Sequence, residues 1–465
     1  MITSEEINVM HISGRLQRMQ HYFQTGNTRS FEFRKQQLQT LKMTVLKYED
    51  EIYAALYSDL KKSKEESYAT ELGLLLAEIN VTLKNLRRWM QPQRVGTDLV
   101  NLPSGSKIYT DSLGVVLIIS PWNYPLQLLL LPLVGAIAGG NCVVLKPSEL
   151  APSTAAIIEK MITEIFPKEY VAVMQGDGAR IIPEMMNSFR FDHVFYTGSI
   201  PVGKIIYQLA AKDLVPVTLE LGGKSPAIVE EGANLDVAAR RIVLGKFLNA
   251  GQTCIAPDYL LVHESVKENL LAKIKTVIEN FYTAEPSESY DYGKIINERR
   301  FDKLISYLAD GTIITGGQSD KEKLYIAPTV MDDVAKNSSL WSEEIFGPIL
   351  PVKTYVSTDE AIDYVKGSNP LAFYLFTANK KKERQWIAEV PFGGGCINNT
   401  DWHFTNHNLP FGGVGNSGLG AYHGKYSFDT FTRKKAVLKT PAWFDPSIKY
   451  PPFKGKLKLF KWVIR

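Results

Sequence analysis

Cysteine is scarce in this chain, because only Cys142, Cys254 and Cys396 occur among 465 residues. Their number is odd, they lie far apart and no CxxC pair exists, which excludes a disulfide framework and a zinc site of the CxxC type. The seven histidines form no HExxH pair, so we predict no metal site. Few, unpaired cysteines are typical of a reducing compartment, and we expect a cytoplasmic protein.

Excess charge of one sign is also absent. The chain has 53 basic and 49 acidic residues, a net charge of +4. No dense basic cluster interleaved with aromatic residues lies in its body, so we predict no nucleic-acid partner. The first ten residues, MITSEEINVM, have neither a basic n-region nor an apolar h-region, and we predict no secretory signal there.

Charge is missing altogether from residues 114–145, a run long enough to cross a membrane. However, the run contains three prolines and four glycines, and it divides into GVVLIIS, LQLLLLPLVGAIAGG and NCVVLK. We therefore interpret it as a buried strand, a buried helix and a second buried strand of a parallel sheet.

The length of the chain predicts more than one domain. Residues 1–100 carry apolar positions at helical spacing, and strand-like and helix-like segments alternate from there to about residue 230. Such alternation is typical of a doubly wound α/β domain. A second alternating region continues to about residue 430, so we predict an α/β fold.

A glycine loop joins a predicted strand to a predicted helix in HVFYTGSIPVGKIIYQLAA. Gly198, Ser199 and Gly203 lie in this loop, with Ser199 as a candidate N-cap. A glycine turn that opens a helix leaves free N–H groups for an anion. The spacing is GxxxxG rather than the dinucleotide pattern GxGxxG, so a tight turn without a ligand stays an equal alternative.

Polar residues also follow two other buried strands. Lys146 and Glu149, in VVLKPSE, could hold the ribose hydroxyls of a nucleotide, although Ser148 and Glu149 could instead mark the start of a helix. Glu220, in VTLELGGKSP, could act as a general base once burial raises its pKa. The alternative for Glu220 is an ion pair with Lys224 or with another lysine.

Cys254 is the best candidate nucleophile of the three cysteines. It lies among small residues in KFLNAGQTCIAPDYLLV, between a helix and a strand. A reactive thiol needs exposure and neighbours that stabilise the thiolate. Cys142 lies in a predicted buried strand, where cysteine behaves as a small hydrophobe, and Cys396, in GGGCINNT, is less clear.

Seven motifs stand in one order across residues 121–432: PWNYP, VVLKPSE, FYTGSIPVGK, LELGGKSP, GQTCIAPDY, EEIFGPILPV and LPFGGVGNSGLGAYHGKYSFDTFT. Together they resemble the aldehyde dehydrogenase superfamily, and APDY and YHGKYSFDTF resemble its class 3 and fatty-aldehyde branch. The resemblance implies four parts: a Rossmann-type NAD-binding domain of residues 1–101 and 114–221, an α/β catalytic domain of residues 222–427, a small oligomerisation β element of residues 102–113 and 428–445, and a basic C-terminal tail of residues 446–465.

The resemblance also implies the roles of individual residues. Cys254 would attack the aldehyde, Asn123 would help to hold the oxyanion, and Glu220 would activate the water that hydrolyses the thioester. The implied cofactor is NAD, because Glu149 would repel the 2′-phosphate of NADP. NADP stays possible. The implied cofactor-binding residues are Trp122, Lys146, Glu149, Gly198, Ser199, Gly203, Glu220, Leu221, Glu344 and Phe346.

The expected reaction is oxidation of a medium-chain, long-chain or aromatic aldehyde to a carboxylic acid by a homodimer. A CoA-acylating dehydrogenase and a catalytically silent binding or structural protein on the same fold stay open as alternatives. The segment DWHFTNHN is expected to line or gate the substrate tunnel. His403, His407 and His423 are expected to be structural or to belong to the tunnel wall.

The C-terminal tail departs from the membrane-bound members of the branch. Lysines interrupt it, so it cannot span a bilayer. We expect a solvated basic end, rather than a weak contact with an anionic membrane surface or a cover over the substrate entrance of a neighbouring subunit.

Overall fold

The computed structural model describes residues 4–464. The helices reproduce the predicted helical N-terminal region and the predicted alternation after it. In chain order they are α1 (Ser4–Gln24), α2 (Phe31–Lys47), α3 (Glu49–Leu60), α4 (Lys64–Ser67), α5 (Gly73–Met90), α6 (Gln127–Gly139), α7 (Pro152–Ile165), α8 (Gly178–Ser188), α9 (Ile200–Ala211), α10 (Leu235–Phe247), α11 (Lys267–Tyr282), α12 (Glu298–Ser306), α13 (Thr358–Val365), α14 (Lys380–Glu389), α15 (Lys425–Thr430) and α16 (Leu457–Val463).

The strands are short and form three larger sheets and one two-stranded ribbon. In chain order they are β1 (Gln93–Val95), β2 (Gly105–Ser112), β3 (Val115–Ile119), β4 (Cys142–Lys146), β5 (Val171–Val173), β6 (His193–Gly198), β7 (Val217–Leu221), β8 (Pro226–Val229), β9 (Tyr259–His263), β10 (Thr312–Thr315), β11 (Ser319–Asp320), β12 (Tyr325–Ile326), β13 (Thr329–Asp332), β14 (Ile349–Tyr355), β15 (Ala372–Phe376), β16 (Gly394–Ile397), β17 (Gly418–Leu419) and β18 (Thr432–Lys439).

The first sheet has the order β17-β7-β6-β3-β4-β5. Strands β3 to β7 are parallel, and β17 joins β7 in the antiparallel sense. The chain moves outwards from β3 through β4 to β5, and then returns to the other side of β3 with β6 and β7. The strand order therefore reverses between β3 and β6, and in open α/β sheets ligands bind at the carboxyl ends of the strands at such a point.

The uncharged run at residues 114–145 is buried inside this sheet. It forms β3, α6 and β4, as predicted, and all thirteen residues of α6 are buried. A helix that is apolar on every side is stable only where protein or lipid surrounds it. Here neighbouring elements surround it, and across residues 4–464 no helix is long and apolar enough to cross a membrane.

The second sheet has the order β10-β13-β14-β9-β8-β15-β16 and is parallel except for β10. The predicted short strand at YIAPTV is divided in two, since β12 pairs with β11 and β13 pairs with β14. Pro328 lies between the two halves, and a proline has no N–H to donate to a sheet ladder.

The third sheet is antiparallel and has the order β1-β2-β18. Strands β2 and β18 come from the two segments that resemble an oligomerisation element, and β1 adds residues from before the first of them. Most of β18 is exposed, while β2 is largely half-buried. One continuous apolar core connects the N-terminal helices with the two larger sheets.

Candidate active site

The site begins at the carboxyl ends of four neighbouring parallel strands. Because these ends meet at one edge of the sheet, residues that lie far apart in the sequence are brought side by side. The predicted site residues that end or directly follow β3, β4, β6 and β7 are Trp122, Asn123, Lys146, Gly198, Glu220 and Leu221.

The loop that carries Cys254 leaves α10 in an unusual backbone conformation. Asn249, Ala250 and Gly251 have φ angles of 52°, 51° and 72°. A left-handed conformation costs free energy at a residue other than glycine. At Gly251 a side chain is excluded as well, because a Cβ would lie 2.3 Å from the carbonyl oxygen of Gly347. The surrounding structure must therefore hold this loop in place.

Hydrogen bonds from buried side chains supply that support. Gln252 Nε2 donates to the carbonyls of Asn249 at 3.0 Å and Lys294 at 2.9 Å, while Gln252 Oε1 accepts from the N–H of Ile296. The N–H of Asn249 donates to Glu66 Oε1 at 2.9 Å. Each of these bonds satisfies a buried backbone group, so the loop that presents Cys254 is fixed before any ligand binds.

Asn123 is joined to the same loop. Its Nδ2 donates to the carbonyl of Gln252 at 2.9 Å, and its own carbonyl accepts from Asn249 Nδ2 at 2.8 Å. An amide nitrogen carries two hydrogens, so one remains for a further acceptor. Asn123 is therefore tied to the cysteine loop and keeps a spare donor, as the predicted role of holding an oxyanion near Cys254 requires.

A buried ion pair fixes the chain on the other side of Asn123. Lys62 Nζ and Glu71 Oε1 lie 2.6 Å apart, and both side chains are fully buried. Lys62 also donates to the carbonyl of Asn123 at 2.9 Å, and Glu71 Oε2 accepts from the N–H groups of Leu126 and Gln127 at the start of α6. Neither residue could be predicted from the sequence, because nothing near Lys62, between α3 and α4, or near Glu71, between α4 and α5, marks the two as partners.

Replacing Lys62 with methionine is expected to lower the free energy of unfolding by about 3–5 kcal/mol, because it leaves the Glu71 carboxylate buried without a counter-charge. The control is Lys62→Met combined with Glu71→Gln, which removes the charge but keeps an oxygen for the helix N–H groups. It should recover most of the loss in urea unfolding. A single-variant effect below about 1 kcal/mol, the size seen for exposed pairs, would contradict this account.

The Cys254 thiol is half-buried rather than freely exposed. Burial raises its pKa well above the usual value, and the negative charges of Glu344 and Glu220 raise it further. The expectation of an exposed thiol with neighbours that stabilise the thiolate is therefore wrong for the protein without ligands. The protonated thiol is the stable form at neutral pH, so the proton has to leave when the substrate reacts.

Cys254 opens onto a pocket whose wall is almost entirely apolar. The segment DWHFTNHN contributes two residues to this wall, as predicted. Ligand pockets combine apolar walls with a few placed polar groups, and this pocket has that composition. Its lining residues are Thr70, Tyr124, Gln127, Leu128, Gly245, Leu248, Thr253, Cys254, Ile255, Asp401, Phe404, Phe411, Tyr422 and His423.

Glu220 is 3% exposed, and among the described residues neither of its carboxylate oxygens has a hydrogen-bond partner. The alternative of an ion pair with Lys224 is wrong, because Lys224 Nζ bonds to Asp258 and to the carbonyl of Leu340. Burial raises the pKa of Glu220 well above its usual value. An unpaired buried carboxyl group costs stability and is typical of a functional site.

Lys146 is buried and Glu149 is exposed, and their charged groups lie 2.9 Å apart. The alternative interpretation of Ser148 and Glu149 as a helix cap is wrong, since α7 has Ala151 at its N-cap. Its first N–H groups instead donate to the carboxylate of Asp59. The carboxylate of Glu149 is therefore left at the surface, beside the buried lysine.

The glycine loop opens α9 as predicted. Ser199 is the N-cap, is exposed and makes no capping bond with its side chain. At Gly203 a Cβ would lie 2.6 Å from Leu221 Cδ2, so only glycine allows α9 to pack this closely on β7. Pro201 has no N–H, and the Gly203 N–H donates to the carbonyl of Ser199 at 2.9 Å. The N–H groups that this helix start leaves for an anion such as phosphate are therefore those that precede Gly203.

Glu344 packs against the backbone of Gly222. A Cβ added at Gly222 would lie 1.9 Å from Glu344 Oε2. Burial raises the pKa of Glu344 to about 8, and Oε1 has no partner among the described residues. The rings of Trp122 and Phe346 meet edge to face, with centroids 5.4 Å apart. An unpartnered carboxyl, a glycine cradle and two aromatic faces suit a nucleotide that carries hydroxyl groups and a planar ring.

Of the other cysteines and histidines named above, only His423 lines the pocket that Cys254 opens onto, in agreement with a place in its wall. Cys142 is buried in β4, and Cys396 lies 3.7 Å from His403 Nδ1. His407 bonds to the buried Glu78 at 2.8 Å, in agreement with a structural role. Over residues 4–464 no group of three or more His, Cys, Asp or Glu side chains could hold a metal ion.

Comparison of the sequence with known proteins points to one family. The sequence profile of the aldehyde dehydrogenase family matches residues 3–437. The chain is 48% identical over 443 residues to 4,4'-diaponeurosporen-aldehyde dehydrogenase of Staphylococcus aureus, covering 95% of this chain and 96% of that protein. It is 43% identical to aldehyde dehydrogenase family 3 member A2 of Macaca fascicularis, covering 94% of this chain and 90% of that protein.

Solved structures agree with this result. The substrate-bound state of Staphylococcus aureus AldH matches with a TM-score of 0.95 at 46% identity, covering 98% of this chain and 99% of that one. The NAD-dependent aldehyde dehydrogenase from Sinorhizobium meliloti matches with a TM-score of 0.83 at 28% identity, covering 94% of this chain and 88% of that one. The predicted fold and the resemblance to the class 3 branch are confirmed, and the chain belongs to the aldehyde dehydrogenase family.

Proposed function

We propose that this NAD(P)-dependent aldehyde dehydrogenase oxidises long, apolar aldehydes to carboxylic acids, with water as the acyl acceptor. One observation carries the proposal: the Cys254 thiol lies in the wall of an apolar pocket, and the neighbouring Glu220 carboxyl is buried without a partner. The relatives named for 4,4'-diaponeurosporen-aldehyde and for aldehyde dehydrogenase family 3 support the same class of reaction.

The predicted cofactor residues suit NAD at the carboxyl ends of the strands. When bound, the nicotinamide supplies the acceptor for the hydride that leaves the substrate. The N–H groups between Ser199 and Gly203 at the start of α9 would hold the pyrophosphate, and Lys146 with Glu149 would hold the adenosine ribose. The exposed carboxylate of Glu149 would repel a 2′-phosphate, which favours NAD over NADP.

Cys254 is the nucleophile of the first half of the reaction. Its sulfur forms a bond to the aldehyde carbon, and the thiol proton passes to water as that bond forms. The carbonyl oxygen becomes negatively charged, and the free Asn123 Nδ2–H and the Cys254 N–H would donate to it. Loss of the hydride from the carbon restores the carbonyl and leaves an acyl group joined to Cys254 as a thioester.

Glu220 is the general base of the second half of the reaction. A carboxylate at this position takes a proton from water, and the water oxygen adds to the thioester carbonyl. The carbon–sulfur bond then breaks, the carboxylic acid departs and the proton returns to the Cys254 sulfur. A CoA-acylating enzyme would need no such base, so the buried, unpartnered Glu220 favours hydrolysis over transfer to CoA.

We also propose the predicted division into domains, a homodimer and a cytoplasmic location. In the third sheet, β18 is an edge strand: one of its edges pairs with β2, and the other pairs with no strand of the described residues. It exposes Val437 and Leu438. A second chain could pair with this edge and cover the two apolar side chains. All three cysteines are free thiols, which suits a reducing compartment.

The test measures NADH formation from NAD with straight-chain aldehydes of increasing length and with an aromatic aldehyde, in the absence of CoA. We expect kcat/KM to rise by about fourfold for each added methylene until the pocket is filled, because each buried methylene gains a similar free energy. NADP should replace NAD poorly. A strict need for CoA, or an acyl-CoA product, would contradict hydrolysis, and a flat dependence on length would contradict the substrate class.

A further inference from the structure

The C-terminal segment exposes many large apolar side chains. Trp462 is 77% exposed and Leu457 is 62% exposed, although apolar residues of this size are usually buried. The prediction of a merely solvated basic end does not account for them, since soluble surfaces rarely keep apolar residues so close together. The exposed apolar residues of the segment, taken as residues 446–465, include Tyr450, Phe453, Leu457, Leu459, Trp462 and Ile464.

The same segment concentrates positive charge. Residues 446–465 contain five lysines, one arginine and no acidic residue. Because the whole chain carries +4 and this segment carries +6, the rest of the chain carries −2. Within the described part of the chain, Lys454, Lys458 and Lys461 have no carboxylate partner. Their charges are therefore available to an external anion.

Contacts within the segment hold it together. The rings of Phe453 and Phe460 pack with centroids 5.9 Å apart, and Lys456 Nζ donates to the carbonyls of Ser447 and Tyr450. As far as the structure describes residues 445–464, their hydrogen bonds and ion pairs stay within the segment. Between residues 446 and 464, six large apolar side chains are each at least 39% exposed.

We propose that residues 446–465 bind the surface of an anionic lipid bilayer. The exposed tryptophan, phenylalanine and leucine side chains would enter the headgroup region, and the lysines would lie among the lipid phosphates. Each basic residue near an anionic membrane contributes about fivefold to binding. The combination supplies the two signals, apolar and basic, that reversible membrane binding needs.

Membrane binding goes beyond the proposed function and does not depend on it. Its consequence does rest on that function: long, apolar aldehydes dissolve in the bilayer, so a surface-bound enzyme would meet its substrate where the substrate is concentrated. A second copy of the chain is the other occupant that could cover exposed apolar side chains, and the experiment separates the two.

The full-length protein is sedimented with vesicles of phosphatidylglycerol or of phosphatidylcholine. We expect binding to the anionic vesicles, weakened by added salt, and little binding to the neutral ones. The double variant Lys458→Glu, Lys461→Glu should weaken binding by at least about 25-fold, from two basic residues at fivefold each. The control Lys380→Glu, Lys381→Glu changes the net charge equally, on exposed positions of α14, and should bind like the wild type.

Three results would overturn the proposal: no sedimentation with anionic vesicles, equal sedimentation with both lipids, or equal losses in the two double variants. If the segment instead binds a second copy of the chain, Trp462→Ala should lower the molecular mass that light scattering measures in solution and leave sedimentation with vesicles unchanged. That result would also overturn the proposal. Cys254→Ala should bind vesicles like the wild type, so a failure of the proposed reaction stays distinguishable from a failure of membrane binding.

Discussion

Replacing Cys254 with alanine is expected to lower kcat/KM for aldehyde oxidation by at least about four orders of magnitude, because no other group can form the covalent bond to the substrate carbon. The fold should survive. The side chain is small, half-buried and in a loop held by Gln252 and Asn249 rather than by the thiol. The measurement is NADH formation under saturating NAD, together with thermal unfolding of both proteins.

The matched control is Cys396→Ala. Cys396 is also half-buried, and its sulfur lies 3.7 Å from His403 Nδ1. Since it does not line the pocket that Cys254 opens onto, its loss should change kcat/KM by less than about threefold. If Cys254→Ala kept more than about a hundredth of the wild-type activity, the sulfur could not be the nucleophile.

Glu220→Gln is expected to lower steady-state turnover by about 10²–10⁴-fold, the range that removal of a general base produces. One equivalent of NADH per active site should still form rapidly, because Cys254 can attack the aldehyde without Glu220. The variant should therefore show a burst followed by a slow phase, in which the acyl group leaves Cys254 only with difficulty. Stopped-flow absorbance of NADH measures both phases.

The stability of this variant gives a second readout. The folded protein holds Glu220 buried and unpartnered, and its pKa is raised. A raised carboxyl pKa costs folding stability increasingly as the pH rises above the value of the unfolded chain. Glu220→Gln should therefore be as stable as the wild type or more stable at neutral pH. Glu279→Gln, at an exposed position of α11, is the control and should change neither turnover nor stability. Loss of both burst and turnover in Glu220→Gln would contradict the assignment.

Local sequence was enough to predict the elements that carry the site. The strand ends at Lys146, Gly198 and Glu220 and the loop of Cys254 follow from apolar runs interrupted by glycine and proline. The burial of residues 114–145 followed from their prolines and glycines, despite their lack of charge. These features depend on neighbours in the chain, so a single sequence shows them.

Contacts between distant segments could not be predicted in this way. In the sequence, Lys62 and Glu71 look like ordinary charged residues of the N-terminal region, and only the folded chain brings them together beside Asn123. Lys224 is four residues from Glu220, yet it turns to Asp258 and leaves Glu220 without a partner. Pairings of this kind depend on three-dimensional packing, which no local spacing records.

The environment of Cys254 also reverses a simple expectation. Small neighbours and a loop position suggest an exposed, ionised thiol, but burial and the charges of Glu344 and Glu220 keep the proton on the sulfur. The thiol is therefore protected until a substrate and a cofactor enter the site. A nucleophile that is inert in the resting protein reacts less with unrelated electrophiles.

The central claim is that an acyl group is held on Cys254 until Glu220 activates water. Its most direct test is mass spectrometry of Glu220→Gln after rapid acid quenching, with a long-chain aldehyde and NAD present. We expect the peptide that contains Cys254 to gain the mass of the acyl group, and we expect no gain when NAD is omitted. A burst of NADH without any adduct on Cys254, or an adduct on Cys142 or Cys396 instead, would contradict the account.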